Sequence, residues 1–304
     1  MKLRYAIIGT GALGGFYGGR LANAGQEVHF LFHSDYEYVK ENGLFIDSVD
    51  GEFTIFPINA YRSTLDMPVC DVVLVCLKTI NNNMLKDLLP PLLHERTVVV
   101  LVQNGLGIEE ALAADFPDLS IAGGLAFICS SKLGKGRIGH FDYGKITVGA
   151  YQKEDREMLE QICADFIDAG VPAEYSPDLN LSRWKKLVWN IPYNGMTVVL
   201  NATTENLMSQ PDSRQLIYDL MLEVIEAANC CGVEIGKGFA DEMMTSTDDM
   251  LPYAPSMKLD FIAKRLMEIQ AIYTNPIQTA LRAGYFMKKV AMLEQQLRFI
   301  QRNF

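Results

Sequence analysis

Near its start the chain reads Tyr5-Ala6-Ile7-Ile8-Gly9-Thr10-Gly11-Ala12-Leu13-Gly14, an apolar run that leads into a G-x-G-x-x-G loop. In dinucleotide-binding folds the first glycine of this loop allows a tight turn, and the second lets the backbone approach the phosphates. The third lets the helix pack closely on the strand, and the helix N-terminus then faces the anion. We therefore predict that Gly9, Thr10, Gly11, Ala12, Leu13 and Gly14 bind the pyrophosphate of a dinucleotide cofactor.

Strands and helices alternate over the first half of the chain. The apolar runs predicted as strands cover residues 3–8, 27–32, 72–77, 97–102 and 121–128. Near-continuous apolar strands with helices between them are typical of a parallel sheet that is covered on both faces. Two hairpins are also predicted, one turning at Asp50-Gly51 and the other near Tyr143-Gly144, between residues 137–141 and 145–148.

The pattern changes after Val148. Apart from a short apolar piece at 171–175, apolar residues recur at helical spacing from there to the end of the chain. We therefore predict an α/β protein with an N-terminal Rossmann-type doubly wound parallel sheet and a C-terminal all-helical domain. The boundary is predicted near Ser176-Pro177-Asp178, which gives a dinucleotide-binding domain over 1–178 and a substrate domain over 179–304.

Composition limits the function classes. The chain has 304 residues, and its net charge of −10 argues against a nucleic-acid surface. The start of the chain leads into a strand instead of a hydrophobic signal core, and the longest uncharged stretch is too polar for a bilayer. We expect a cytoplasmic protein with no membrane partner and with buried thiols. The four histidines lack the spacing of metal ligands, so we predict no metal.

The end of the second predicted strand reads Phe32-His33-Ser34, where the adenosine ribose of a dinucleotide lies. NAD-binding sites usually carry an acidic residue there, and NADP-binding sites carry a cation. Phe32 is not acidic, which favours NADP, and His33 and Ser34 are candidate contacts to its 2′-phosphate. The alternative is that His33 is an ordinary surface loop residue.

Polar residues follow two further predicted strands. Lys78 follows the strand that ends near residue 77, and Asn104 follows the strand that ends near residue 102. Because the carboxyl ends of parallel strands line the ligand crevice, both are candidate ligand contacts. The alternative is turn chemistry, since Asn-Gly is a common turn former.

Lys186, Asn190 and Asn194 are spaced four residues apart, which places them on one face of an otherwise apolar helix. A helical lysine is usually solvated, but this one precedes two amides in an uncharged apolar stretch. A partly buried ammonium is a plausible proton donor. Ser256 and Glu268, taken alone, read as an ordinary helix cap and a surface carboxylate.

With these motifs the sequence resembles the ketopantoate reductase family over nearly its whole length. The glycine loop, residues 75–79 and residues 103–107 resemble the family's nucleotide-binding and crevice motifs. Most specific is the run Trp184-Lys185-Lys186-Leu187-Val188-Trp189-Asn190, which is similar to the family's W-x-K-L-x-x-N segment. Residues 255–260 resemble its S-M-x-x-D motif, and Glu268 falls where the family has its functional glutamate.

The resemblance implies a reaction and a set of roles. NADPH would deliver hydride to the ketone carbon of ketopantoate, a 2-oxo acid, and Lys186 would donate the proton to the forming alkoxide. Glu268 would hydrogen-bond a substrate hydroxyl and help to fix Lys186. The substrate's carboxylate and hydroxyls would be held by Asn104, Asn190, Asn194 and Ser256. Lys78 and Asn104 would also contact the cofactor, and a homodimer is possible.

Three residues depart from the family's pattern. His33 stands where the family usually has arginine, Tyr253 stands where it often has asparagine, and Pro192 interrupts the helix that carries Lys186. Proline kinks a helix, so Asn194 is expected to be displaced. These departures leave two alternatives: a reductase of the same fold for a different 2-oxo acid, and a non-catalytic NADP(H)-binding sensor. The 3-hydroxyacid dehydrogenases, which share the two-domain plan and a catalytic lysine, match the lysine segment less well.

Overall fold

A computed structural model describes residues 2–153, 155–250 and 254–304 of the chain. It divides into two compact units, the first comprising Met1–Gln103 and Ile108–Leu179. The second comprises Asn104–Gly107 and Asn180–Phe304. The predicted first domain over 1–178 includes the loop at 104–107, whereas in the structure this loop belongs to the helical unit.

One sheet forms the centre of the first unit. Its strands are β1 (Arg4–Ile8), β2 (Glu27–Leu31), β3 (Leu44–Ser48), β4 (Phe53–Ile55), β5 (Asn59–Tyr61), β6 (Val72–Val75), β7 (Val98–Leu101), β8 (Ser120–Gly134), β9 (Arg137–Gln152) and β10 (Ala173–Tyr175). The α-helices are α1 (Ala12–Asn23), α2 (Tyr36–Asn42), α3 (Leu85–Leu88), α4 (Ile108–Asp115) and α5 (Arg156–Asp168). Short 3-10 turns cover Thr64–Asp66, Thr79–Met84 and Pro90–Leu92.

The strand order is that of a Rossmann-type sheet. The strands β5, β2, β1, β6, β7 and β8 lie side by side and are all parallel. Every residue of β6 and β7 is buried, as expected for strands covered on both faces. The predicted N-terminal fold is therefore confirmed, and the carboxyl ends of β1, β2, β6 and β7 lie at the same edge of the sheet.

The far side of the sheet differs in part from the expectation. The hairpin at Asp50-Gly51 is confirmed by antiparallel pairing of β3 with β4. The hairpin predicted at Tyr143-Gly144 is wrong, because β9 runs through these residues and pairs with β8 in antiparallel fashion. Tyr143 and Gly144 have φ of 60° and 125°, and the register of β8 with β9 shifts there, so they form a bulge. The turn between β8 and β9 lies at residues 135–136 instead.

Helices form the second unit, as predicted. They are α6 (Leu179–Val199), α7 (Thr204–Ser209), α8 (Pro211–Cys230), α9 (Gly238–Asp248), α10 (Ser256–Ile262), a π-helical turn (Gln270–Thr274), α11 (Asn275–Arg282) and α12 (Lys288–Gln301). Their buried faces share one apolar core, to which Trp184, Ile191 and Tyr193 of α6 contribute. Within the described residues, no helix has the length and apolar character needed to cross a membrane.

Pro192 does not end α6. The helix continues to Val199, and the hydroxyl of Tyr273 donates to the carbonyl oxygen of Ile191 at 2.9 Å. Asn194 remains on the helix and is 2% exposed, and its Oδ1 accepts the N–H of Met257 at 3.2 Å. The expected displacement of Asn194 is therefore wrong, because contacts from neighbouring segments hold the helix on both sides of the proline.

Candidate functional site

The glycine-rich loop connects β1 to α1. Gly9 has φ of 91°, and a Cβ there would lie 2.7 Å from the backbone nitrogen of Leu77. A Cβ at Gly14 would lie 2.4 Å from the carbonyl oxygen of Gly9. At Gly11, by contrast, a Cβ would meet no atom of the described residues within 4 Å. Packing within the protein therefore requires glycine at 9 and 14, whereas the space beside Gly11 is open, as close approach of a phosphate requires.

The rest of the loop is also suited to an anion. The hydroxyl of Thr10 donates to the carbonyl oxygen of Leu31 at 2.9 Å, which ties the loop to the end of β2. Ala12 and Leu13 begin α1, and the first turn of this fully described helix contains no acidic residue. The partial positive charge at the helix N-terminus is therefore left for a ligand.

His33 and Ser34 follow β2 and are exposed. The next residue, Asp35, is buried, and its carboxylate accepts from the Nζ of Lys132 at 2.7 Å and from the N–H of Gly136 at 3.0 Å. Ser34 also donates to Asp35, at 2.9 Å. Burial raises the pKa of Asp35, but these hydrogen bonds outweigh it and hold the pKa below its usual value. The carboxylate nearest the end of β2 is thus engaged by protein donors.

Lys78 follows β6 and is partly exposed. The segment that carries it is fixed by Gln103, whose Nε2 donates to the carbonyl oxygen of Leu77 and to the Oδ1 of Asn82, each at 2.7 Å. The Nδ2 of Asn82 donates back to the Oε1 of Gln103 at 3.0 Å. This reciprocal amide pair joins the ends of β6 and β7, and its Asn82 partner was missed by sequence reasoning.

In the second unit, Lys186, Asn190 and Asn194 lie on one face of α6, as their spacing predicted. Lys186 is partly exposed and Asn190 is 6% exposed. Among the described residues, the Nδ2 of Asn190 has no hydrogen-bond partner although it is enclosed by the protein. A buried donor without a partner costs about 1–3 kcal/mol, which a ligand acceptor would recover. Asn190 is therefore a candidate contact for an oxygen atom of a ligand.

The pKa of Lys186 lies far below that of an ordinary lysine. Although the residue as a whole is partly exposed, its ammonium group is buried, and this burial lowers the pKa. The nearby Arg183 guanidinium lowers the pKa further and the Glu268 carboxylate raises it, with a net value of about 7. Arg183 lies one turn before Lys186 on α6 and is 2% exposed. Sequence reasoning missed Arg183, although its spacing of three residues from Lys186 places the two on one helix face. An ammonium group with this pKa can both hold and release a proton near neutral pH.

Glu268 is 4% exposed, so its interpretation as a surface carboxylate is wrong. It lies two residues before the π-helical turn, whose cap position is Ile269, and its charge acts on Lys186. Ser256 is the first residue of α10 and is partly exposed, whereas Pro255 occupies the cap position. Ser256 is therefore not the helix cap, and it lies beside Met257, which Asn194 holds. Sequence periodicity alone carries no signal for the burial of Glu268.

Asn104 lies in the loop 104–107, which belongs to the second unit and is partly exposed at this residue. The N–H of Leu106 donates to the carbonyl oxygen of Ala271 at 2.9 Å, and the Nδ2 of Asn275 donates to the carbonyl oxygen of Leu106 at 2.7 Å. The loop is thus attached to the π-helical turn that follows Glu268. π-Helical turns occur frequently at functional sites.

Within the second unit the structure therefore groups Lys186 with Arg183 and Glu268, and it joins Asn194 to the start of α10. The first unit holds the glycine loop, His33, Ser34 and Lys78. Over residues 2–153, 155–250 and 254–304, no group of three or more His, Cys, Asp and Glu side chains is arranged to hold a metal ion. Tyr253, a predicted departure in the substrate pocket, lies outside the described residues.

Known proteins resemble this chain both in sequence and in structure. Two family models match the chain, "Ketopantoate reductase PanE/ApbA" over residues 5–153 and "Ketopantoate reductase PanE/ApbA C terminal" over residues 178–301. A 2-dehydropantoate 2-reductase of Nostoc sp. is 47% identical over 98% of this chain and 95% of its own length. The crystal structure of 2-dehydropantoate 2-reductase from Geobacter metallireducens has a TM-score of 0.94 and 41% identity, covering 97% of this chain and 99% of that chain.

A more distant likeness concerns a different enzyme. The ternary structure of D-mandelate dehydrogenase with NADH and anilino(oxo)acetate has a TM-score of 0.91 over 99% of this chain and 98% of that chain. Its identity to this chain is 19%, so the likeness extends to the fold alone.

Proposed function

Since the chain belongs to the ketopantoate reductase family, we propose that it is an NADPH-dependent enzyme that reduces 2-dehydropantoate to pantoate. The observation that carries the proposal is the lysine on α6. Lys186 has a pKa of about 7, set by burial, Arg183 and Glu268, and Asn190 on the same helix face presents an unsatisfied donor. A general acid is most effective when its pKa lies near the operating pH.

The first unit would hold the cofactor. The pyrophosphate could approach residues 9–14 closely, because the space beside Gly11 is open. The partial positive charge at the N-terminus of α1 would attract it, since the first turn of this helix carries no acidic residue. When bound, the nicotinamide supplies the hydride. The preference for NADPH is supported by Phe32, which stands where NAD sites usually carry an acid, and by Asp35, which is engaged by Lys132. His33, Ser34 and Lys78 are the further cofactor contacts that we propose.

The second unit would hold and protonate the substrate. Lys186 donates its Nζ proton to the ketone oxygen as that oxygen becomes an alkoxide, and its positive charge stabilises the developing negative charge. Glu268 keeps the proton on Lys186 and accepts a hydrogen bond from a substrate hydroxyl. The Nδ2 of Asn190 donates to a substrate oxygen. Asn104, Asn194 and Ser256 would hold further oxygen atoms of the substrate, and Asn194 also fixes the start of α10 through Met257.

A substitution at Glu268 tests the proton-donor assignment through the pH dependence. The donating form of Lys186 is present below its pKa of about 7 and is lost above it, so kcat/KM for reduction should fall as pH rises through this value. Glu268→Gln removes the charge that raises the pKa of Lys186. The falling limb of the profile of kcat/KM against pH should therefore move to lower pH, with the largest loss of activity above neutrality.

The matched control is Glu242→Gln, since Glu242 is an exposed carboxylate on α9 of the same unit. This variant should leave the position of the limb unchanged. A limb that stays in place in Glu268→Gln, while the activity falls equally at all pH values, would contradict the electrostatic role of Glu268.

The direct test of the proposed reaction is the loss of nicotinamide absorbance with 2-dehydropantoate, measured side by side with NADPH and NADH. We expect rapid oxidation of NADPH and slower oxidation of NADH. Binding of NADPH without turnover of 2-dehydropantoate would exclude this substrate. A panel of other 2-oxo acids at fixed NADPH then separates the alternative reductase from a non-catalytic sensor, which would oxidise the cofactor with none of them.

Two broader expectations accompany this function. We propose a homodimer, the assembly named for a ketopantoate reductase from Staphylococcus aureus whose structure has a TM-score of 0.84 at 22% identity. That likeness extends to the fold alone, so the mass of this protein in solution is the test. A cytoplasmic location is proposed because the relatives are named as reductases of a small metabolite.

A further inference from the structure

Residue 33, at the adenosine end of the proposed cofactor site, is histidine where the family usually has arginine, and the nearby Lys132 is already paired with Asp35. His33 is exposed at the end of β2, and Asp35 is bound by Lys132 and Gly136. NADPH differs from NADH by a 2′-phosphate on the adenosine ribose, and arginine is the residue best suited to recognise it. A cation from another part of the first unit would therefore be needed for strong preference.

The register of the sheet places an arginine beside this position. Strand β5 is parallel to β2, with Leu31 opposite Tyr61, and the N–H of Phe32 donates to the carbonyl oxygen of Tyr61 at 2.9 Å. Arg62 therefore leaves the carboxyl end of β5 next to the point where His33 leaves the carboxyl end of β2. Both residues lie at the edge of the sheet where ligands of open α/β folds bind.

The side chain of Arg62 contacts two residues of α2 and is otherwise exposed to solvent. Its guanidinium carbon lies 4.9 Å from the centre of the Tyr36 ring, and its Nη2 forms an ion pair with Glu37. Both partners belong to the first turn of α2, directly after the loop at 33–35. The Arg62 side chain is still 60% exposed. A planar guanidinium that rests on an aromatic ring is oriented in advance, which reduces the entropy lost when it binds an anion.

We propose that Arg62, at the end of β5, binds the 2′-phosphate of NADPH and so gives the protein its preference for this cofactor. Arg62 would thereby take the role that an arginine at residue 33 would have at the end of β2. This inference rests on the proposed NADPH-dependent function. The guanidinium donates hydrogen bonds to the phosphate oxygens from its edge, while its face stays on Tyr36. The contact with Glu37 is exchanged for the phosphate, whose charge is greater.

The test uses binding of adenosine 2′,5′-bisphosphate and of 5′-AMP to the full chain, measured by calorimetry, because these probes need no turnover. Arg62→Gln should weaken binding of the bisphosphate by about 10- to 100-fold, the range for a charge-assisted hydrogen bond. Binding of 5′-AMP, which lacks the 2′-phosphate, should change little. A merely structural effect on the loop would weaken both ligands equally and would overturn the proposal.

The matched control is Arg156→Gln. Arg156 is also exposed, pairs with Glu160 at 2.8 Å and lies 5.3 Å from the Tyr175 ring. Arg156 is the first residue of α5, which follows the end of β9, and the end of β9 pairs with the start of β8. Arg156 therefore lies at the edge of the sheet opposite to the one at which β2 and β5 end. This variant should bind the bisphosphate as the parent does.

A second variant tests the same idea by rescue. His33→Arg in the Arg62→Gln background should restore the preference for the bisphosphate over 5′-AMP, because it returns a cation to the end of β2. Unchanged bisphosphate binding in Arg62→Gln overturns the proposal even if 2-dehydropantoate is reduced. Conversely, bisphosphate binding that depends on Arg62 in a protein that does not reduce 2-dehydropantoate supports this inference and rejects the proposed reaction.

Discussion

Replacement of Lys186 by alanine is expected to lower turnover of 2-dehydropantoate by about 100- to 10,000-fold, the loss typical of a missing general acid. The reduction places negative charge on the ketone oxygen, and in this chain the ammonium of Lys186 is the group proposed to protonate it. Its pKa of about 7 keeps a large share of the donating form at neutral pH. The measurement is kcat from NADPH oxidation under saturating substrate.

The adjacent lysine provides the control. Lys185 is exposed, and its Nζ lies 5.3 Å from the centre of the Phe239 ring on α9. Lys185→Ala should retain nearly normal turnover, and binding of NADPH should survive in both variants because the proposed cofactor loop lies in the other unit. Near-normal turnover in Lys186→Ala would reject the assigned proton donor and with it the proposed mechanism.

Substitutions within the glycine loop should separate stability from cofactor binding. A Cβ at Gly14 would lie 2.4 Å from the carbonyl oxygen of Gly9 and 2.9 Å from the Cγ2 of Ile7, so strand and helix must move apart. We expect Gly14→Ala to lower the free energy of unfolding by about 3 kcal/mol, at the upper end of typical overpacking costs. Chemical denaturation of the cofactor-free protein measures this change.

Gly11→Ala is the counterpart, because the added Cβ meets no described atom within 4 Å. Its effect on the free energy of unfolding should not exceed about 1 kcal/mol. Binding of NADPH should nevertheless weaken at least about tenfold, since the methyl group occupies the space that the pyrophosphate approaches. Equal effects of the two substitutions on stability, or unchanged NADPH affinity in Gly11→Ala, would contradict the proposed phosphate cradle.

Much of the first unit was predictable because its signals are local. The order of glycines at 9, 11 and 14 and the apolar runs of β6 and β7 follow from contacts that any Rossmann-type sheet must make. The prediction failed at Tyr143-Gly144, where residues that favour a turn form a bulge in β9. The same backbone conformations serve turns and bulges, and only the pairing with β8 distinguishes the two.

The proposed site in the second unit was predictable to a smaller extent. Helical spacing alone placed Lys186, Asn190 and Asn194 on one face of α6. Pro192 was expected to displace Asn194, but contacts from Tyr273 and Met257 keep the helix in place. The importance of Glu268 came from the family resemblance, because its burial depends on segments distant in sequence. Arg183 was missed for the same reason, since a surface arginine and a buried one look alike in a sequence.

By itself, then, the sequence determined the strand–loop–helix start of the chain, the alternation that makes the parallel sheet and the amphipathic helices that follow. These features depend on neighbours within a few residues along the chain. Only the tertiary structure decided that Glu268 is buried with its charge on Lys186, that Asp35 is engaged by Lys132, and that Arg62 lies beside His33. Burial and charge pairing join residues that are far apart in sequence, and the pKa of Lys186 is therefore a property of the fold.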